Sequence, residues 1–284
     1  MTARIAANMI KVNRPLLNCA VGMTLLLAVI ILVAGAPLFT SYNPFEQNAS
    51  ARLEKPGAAH IFGTDRFGRD VFSRTLFGGR TTLTTSILSL GIALALGLLA
   101  GLSAGLYSPS IFDLVLSRGM DVLLAFPFMV LAMLITALFG QGLMQLLAAV
   151  VFVWWVPFAR LTRSIVLQAK NETSVEAARV LGARNRVIVI QELLPKVISP
   201  VLIHATFELS TLILSLSALS FLGLGAQPPN PEWGSMLSDG RAHFMLAPYI
   251  LLGPALFIVL TVLALNLIGE SLRDMLDPFE TLKI

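Results

Sequence analysis

A few side chains in this 284-residue sequence have the reactivity that enzymes use. Ser103 stands in the pattern Gly101-Leu102-Ser103-Ala104-Gly105, which fits the Gly-x-Ser-x-Gly motif of serine hydrolases, and His204 is a candidate base. That motif requires a strand-to-helix turn, whereas Ser103 lies inside a long apolar run. Together with Ala93 and Gly97, the small residues predict close helix packing. An intramembrane serine hydrolase is a remote alternative.

Ionisable groups inside the apolar runs are rare. His204 and Glu208 are four residues apart and share one face of a predicted helix. Because such groups are functional by default, they are candidates for a translocation path, although pairing with each other against a partner subunit explains them equally well. His60 and His243 lie in predicted loops, and Cys19 is the only cysteine. We therefore expect no metal site and no disulfide.

The composition places the chain in a bilayer. Hydrophobic residues make up 56% and charged residues 13%, and the mean hydropathy is +0.81. A water-soluble surface needs roughly a quarter of charged residues, while a span across about 30 Å of hydrocarbon needs about 20 apolar residues. The sequence predicts an all-α polytopic protein with six transmembrane helices. They cover Leu16–Phe39, Leu83–Tyr107, Val122–Phe139, Leu143–Leu161, Val201–Leu222 and Pro248–Ile268.

Lysine and arginine indicate the orientation. Cations without acids precede the first span, and many more flank and fill the segment between the fourth and fifth spans. Both segments are therefore predicted to be cytoplasmic. We expect a cytoplasmic N-terminus (1–15), then a transmembrane domain (16–284) with a periplasmic segment (40–80), a cytoplasmic loop (162–196) and a cytoplasmic C-terminus. The cations concerned are Arg4, Lys11, Arg14, Arg160, Arg163, Lys170, Arg179, Arg184, Arg186 and Lys196.

Two other interpretations of the charge and the N-terminus are less favoured. The net charge of +4 does not indicate nucleic-acid binding, because no basic stripe with interleaved aromatic residues is present. Ala34-Gly35-Ala36 resembles a signal cleavage site, but the apolar stretch before it is longer than the core of a usual signal peptide. We expect a retained anchor helix.

The cytoplasmic loop carries Glu176-Ala177-Ala178, then Gly182, then Leu194-Pro195. Thr173 and Glu176 have capping-box spacing, which predicts that a helix begins there. Gly182 is typical of a left-handed C-terminal cap, and a second helix over Ala183–Leu194 is predicted to stop at Pro195. The small side chains of Ala177 and Ala178 would leave a shallow surface for a partner.

The spacing from Glu176 to Pro195 resembles the permease subunits of binding-protein-dependent ABC importers, although Glu192 stands where many members have an aliphatic residue. Further motifs resemble the C-type permeases of dipeptide, oligopeptide and nickel importers, and they run from about His60 to Phe279. These motifs are Gly63-Thr64-Asp65, Gly68-Arg69-Asp70, Phe221-Leu222-Gly223-Leu224-Gly225, Gln227-Pro228-Pro229, Pro231-Glu232-Trp233-Gly234, Asn266-Leu267-Ile268-Gly269, Leu272-Arg273-Asp274 and Leu276-Asp277-Pro278.

The resemblance implies a type I ABC importer permease fold in the bacterial inner membrane. It implies a heterodimer with a second homologous permease, two ATPase subunits that carry ATP and Mg, and an extracytoplasmic solute-binding protein. The loop residues Glu176, Ala177, Ala178, Gly182, Leu194 and Pro195 would couple the chain to the ATPases. Candidate contacts at the periplasmic gate or with the receptor are Gly63, Asp65, Arg69, Asp70, Gln227, Glu232 and Trp233.

The chain itself is predicted to be a transport subunit without an ATPase site or cofactor. It contains no Gly-x-x-x-x-Gly-Lys-Ser/Thr loop. The expected cargo is a short peptide or a peptide-sized metal chelate, because a bare cation needs several fixed ligands and the spans offer only Cys19, His204 and Glu208. A nickel-ion importer is the alternative. A secondary transporter is remote, since Glu208 alone is a poor basis for ion coupling.

Overall fold

The computed structural model describes residues 2–276, with side chains from Pro15 onward. Regular secondary structure in this range is helical, which confirms the predicted all-α class. Asp277 and Pro278 of the C-terminal motif lie outside the described residues. The helices are α1 (Thr2–Ala34), α2 (Ala36–Phe39), α3 (Val71–Leu106), α4 (Ile111–Ala125), α5 (Phe128–Phe139), α6 (Leu143–Ala169), α7 (Thr173–Val180), α8 (Asn185–Ile188), α9 (Leu194–Phe221), α10 (Trp233–Arg241) and α11 (Tyr249–Leu276).

Five helical stretches in the described range are long and apolar enough to cross a membrane, and α4 with α5 makes a sixth if that pair is one broken span. The predicted third span, Val122–Phe139, is broken at Pro127, where α4 and α5 meet at an angle of 92°. Phe126 between them is extended, with φ −94° and ψ 138°. Pro127 follows it, and a residue before proline is disfavoured in the helical conformation. The five stretches are Pro15–Ala34, Val71–Leu106, Leu143–Ala169, Asn185–Phe221 and Tyr249–Leu276.

One compact unit comprises residues 2–86, 139–146 and 206–276. In it α1 packs closely on α11, where a Cβ added to Gly22 would lie 2.9 Å from the carbonyl oxygen of Ala264. The indole of Trp233, at the start of α10, is fully buried beside α3 and α11. One apolar cluster of this unit contains Val29, Val33, Ala36, Leu76, Trp233, Phe257 and Ile258.

The second unit comprises residues 87–138 and 147–205. Its α3 and α6 segments approach through the glycines at four-residue spacing. A Cβ on Gly97 would lie 2.7 Å from the carbonyl oxygen of Trp155, and one on Gly105 would lie 2.7 Å from Cβ of Val166. Real Cβ atoms essentially never come that close, so both positions require glycine. The interpretation of this stretch as a packing face is confirmed.

Candidate functional site

The loop predicted to couple the chain to an ATPase begins with α7. This helix starts at Thr173 after the extended residue Glu172, and no side chain caps it. The capping-box prediction is therefore wrong: Thr173 is already helical, whereas a capping residue must lie just outside the helix. The Glu172 carboxylate, just before α7, forms an ion pair with the ammonium of Lys196 on α9. Glu176 lies in the first turn, where a carboxylate interacts favourably with the helix dipole.

The C-terminus of α7 is a tight elbow, as predicted. Gly182 has φ +79°, in the left-handed region. Its N–H donates to the Arg179 carbonyl at 3.0 Å, and the N–H of Ala183 donates to the Ala178 carbonyl at 3.0 Å. These two bonds are those of a Schellman motif. Because no atom lies within 4 Å of a Cβ at Gly182, the requirement for glycine comes from the backbone conformation alone.

The second half of the loop differs from the prediction. Helical structure continues from Asn185 through Phe221, so Pro195 does not stop it. Val189–Leu193 forms a π turn, and the N–H of Leu194 donates to the carbonyl of Val189. Pro195 comes directly after this turn and has no N–H to donate. Because the hydrogen bonding there already departs from the α pattern, the proline does not end the helix.

Large apolar side chains project from this loop. Val180, the last residue of α7, is 87% exposed, and Leu181, which follows it, is 86% exposed. Glu176, Ala177, Gly182 and Pro195 are exposed, and Ala178 and Leu194 are partly exposed. We call Val180 and Leu181 the elbow ridge. Sequence reasoning missed it, although two large apolar residues before a glycine cap in a polar stretch were a readable signal. Two adjacent apolar side chains exposed in a polar loop are a candidate contact for a partner protein.

The motif residues from Gly63 to Asp70 form the turn that starts α3. Asp65 binds the Nε of Arg69 at 2.7 Å, and Asp70 accepts from the N–H of Ser73 at 2.6 Å and contacts Nδ1 of His60 at 2.8 Å. Gly63 has φ +71°. Gly63, Arg69 and Asp70 are buried and Asp65 is partly buried, so these residues shape the turn and a docking protein reaches little of them.

Glu232 and Trp233 are also internal. Glu232 is 2% exposed and caps α10 by accepting from the N–H groups of Gly234 and Ser235, both at 2.9 Å. Burial raises the pKa of this carboxyl above its ordinary value. The Trp233 indole N–H donates to the carbonyl of Thr75 at 2.8 Å. Their burial in this chain leaves little of either side chain for a receptor to contact, and their assignment to the periplasmic gate stays a prediction. Gln227 is exposed and accessible.

His204 and Glu208 are partly buried on α9. The His204 ring meets the edge of Phe158, with ring centroids 5.4 Å apart. Ser103 lies within α3, where its hydroxyl donates to the Ala100 carbonyl at 2.9 Å. This helical setting lacks the strand-to-helix turn of a hydrolase, so Ser103 has no support as a nucleophile. Within residues 2–276, no three His, Cys, Asp or Glu side chains lie close enough to hold a metal ion.

Solved structures support the fold. An inward-facing structure of the MetNI methionine ABC transporter matches with a TM-score of 0.57 at 20% identity, over 72% of this chain and 97% of that chain. The crystal structure of an amino acid ABC transporter with histidines matches with a TM-score of 0.55 at 21% identity, over 71% of this chain and 94% of that chain. The predicted type I ABC importer permease fold is confirmed.

Sequence comparisons agree with the structural ones. The dipeptide transport system permease protein DppC of Alkalihalophilus pseudofirmus is 43% identical over 91% of this chain and 84% of the relative. The glutathione transport system permease protein GsiD of Escherichia coli is 40% identical over 90% of this chain and 86% of the relative. The model of the family described as "binding-protein-dependent transport system inner membrane component" matches residues 80–281. This chain therefore belongs to that family and is a permease subunit of a binding-protein-dependent ABC importer.

Proposed function

We propose that this permease takes up short peptides. The observation that carries the proposal is the 43% identity to a dipeptide transport permease over 91% of the chain, supported by 40% identity to a glutathione transport permease. Dipeptides and glutathione share a peptide backbone with charged ends. A peptide-sized metal chelate is compatible with the same passage. A bare nickel ion is not favoured, because neither relative is named for nickel.

The elbow of α7 would couple the chain to ATP hydrolysis. Val180 and Leu181 project from a loop whose conformation is set by the Gly182 turn, and the exposed Arg179, Arg184 and Arg186 are close to them in sequence. An apolar ridge with a basic rim suits a groove on another protein. The chain has no phosphate-binding loop of its own, so ATP and Mg belong to separate ATPase subunits. The complete importer would contain a second homologous permease, two ATPases and a solute-binding protein.

Both termini and the elbow should face the cytoplasm. The lysine and arginine distribution motivates this topology, and the bent pair α4 and α5 must count as one crossing for the number of spans to be even. Fusions of green fluorescent protein to each end should fluoresce, and alkaline phosphatase fused to the C-terminus should be inactive. Active C-terminal phosphatase with a fluorescent N-terminal fusion would mean that the pair is re-entrant.

Deleting this chain from its native importer should abolish receptor-dependent uptake of a radiolabelled dipeptide. Peptide binding by the isolated solute-binding protein should be unchanged, which serves as the control. Uptake of unchelated nickel in medium stripped of chelators and peptides should not depend on this chain. Loss of nickel uptake with intact peptide uptake would reverse the assignment of cargo.

A further inference from the structure

A cleft of about 870 Å³ opens in the second unit between α4 and α6. It combines acids and bases, while much of the remaining lining is apolar or small. None of its charged side chains has a role in the coupling loop described above. They are Asp113, Arg118, Asp121, Arg160 and Arg163.

The inner two charges form a closed pair. Arg163 donates from Nε and Nη2 to the two carboxylate oxygens of Asp113, at 2.6 Å and 2.8 Å. The hydroxyl of Ser117 donates to the same carboxylate at 3.3 Å. A bidentate pair of this kind is strong and directional, so it holds α4 to α6 and has little capacity for another ligand.

The outer three charges are arranged differently. One carboxylate, that of Asp121, is shared by two guanidinium groups: Arg118 Nη1 lies 3.4 Å from one oxygen, and Arg160 contacts the other. The side chains are 75%, 49% and 46% exposed for Arg118, Asp121 and Arg160. A guanidinium has five N–H donors, and among the described contacts each arginine uses one. Both arginines therefore retain capacity for a second anion.

The position of this trio limits what can cover it. Asp121 directly precedes the predicted third span, which begins at Val122, and Arg160 is near the end of the predicted fourth span, Leu143–Leu161. By the predicted orientation, both positions are at the cytoplasmic ends of these spans. Charged side chains at the ends of spans extend to the aqueous interface or face a water-filled cavity. The exposed trio should therefore meet water or polar groups.

We propose that this cleft is a station on the transport passage that holds the charged ends of a peptide, a role that rests on the proposed function. The peptide carboxylate would replace Asp121 on Arg118 and Arg160, and the released Asp121 would take the peptide ammonium. Every charge has a partner before and after this exchange. Net binding is therefore weak enough for release, as passage through a transporter requires. The cleft volume suits a small molecule.

The test uses the assembled importer in inside-out vesicles. With native Cys19 changed to Ser, a cysteine is placed in the cleft (Ser117→Cys) or on the exposed apolar face of α3 (Leu99→Cys). A charged, water-soluble thiol reagent should label the cleft position and leave the α3 position unlabelled, because the reactive thiolate forms in water. Absence of labelling at the cleft position would overturn the proposal, since the cleft would then be closed by lipid or by the second permease.

Adding alanyl-alanine should slow labelling at the cleft position by about tenfold, the scale of one charge-assisted hydrogen bond. N-acetyl-alanyl-alanine amide, which lacks both charges, should not protect. Arg118→Gln or Arg160→Gln should remove the protection, whereas Lys55→Gln, a charge loss on an exposed outer loop, should retain it. Equal protection by both peptides, protection by neither, or retained protection in both arginine variants would overturn this inference. Dipeptide uptake by the unmodified importer tests the proposed function separately.

Discussion

Replacing Gly101 by leucine should remove the assembled permease from the membrane. A Cβ at Gly101 would lie 2.6 Å from Cβ of Thr162 and 3.0 Å from the backbone nitrogen of Arg163, so the obstacle is largely the backbone of α6. Backbone cannot rotate away as a side chain can. Overpacking typically costs about 1–3 kcal/mol, and a leucine must place three further carbons beyond that Cβ. Co-purification with the ATPase subunits would measure assembly.

Ser103→Ala is the matched control on the same helix. The Ser103 hydroxyl donates to the Ala100 carbonyl within α3, so its loss removes no contact with α6. The smaller alanine side chain preserves the close approach of α6. Abundance and dipeptide uptake should both stay near normal. Normal assembly of Gly101→Leu would contradict the packing account. Lost uptake in Ser103→Ala with intact assembly would restore the nucleophile hypothesis.

Replacing Gly182 by valine should abolish transport while leaving the protein in the membrane. Gly182 has φ +79°, and the left-handed conformation costs an L-residue roughly 1–2 kcal/mol, with β-branched residues disfavoured further. The loop can relieve that strain by breaking the Schellman bonds, which would redirect Val180 and Leu181. Gly182 is exposed, so the membrane-embedded core should be unaffected. Dipeptide uptake and receptor-stimulated ATP hydrolysis would report the loss of coupling.

Asparagine at the same position separates conformation from bulk. Asparagine tolerates the left-handed region better than other residues with a Cβ, and no neighbouring atom obstructs a side chain at Gly182. Gly182→Asn should therefore keep most of the uptake that Gly182→Val loses. Normal uptake in the valine variant at normal abundance would exclude the elbow from coupling, and equal loss in both variants would refute the conformational explanation.

The membrane location, the all-helical class and the elbow at Gly182 were predictable because their causes are local in sequence. Apolar runs long enough to cross hydrocarbon predict membrane helices whatever their neighbours are. Gly182 predicts a left-handed helix cap because such a cap depends on the backbone conformation of a single residue, and glycine adopts that conformation readily. The glycines at four-residue spacing predict a packing face, since the helical period places them on one side.

Short-range rules failed where two local preferences competed. Thr173 has the spacing of a capping box, but the helix begins one residue earlier than that box requires, and Lys196 on α9 contacts the preceding Glu172. Pro195 is a strong stop signal, yet the π turn before it lets the helix continue. Pro127 disfavours the helical conformation at Phe126, but proline alone does not specify a bend of 92°.

Only the tertiary structure decided which polar residues are buried and which form ion pairs between helices. Glu232 and Trp233 looked like exposed loop residues until the fold placed them against Thr82 and Thr75 of α3, far away in sequence. Asp121 and Arg160 come from separate helices, and their contact creates the charged part of the α4–α6 cleft. Sequence periodicity specifies the face of a helix but not the partner that covers it, because that partner depends on how distant segments pack.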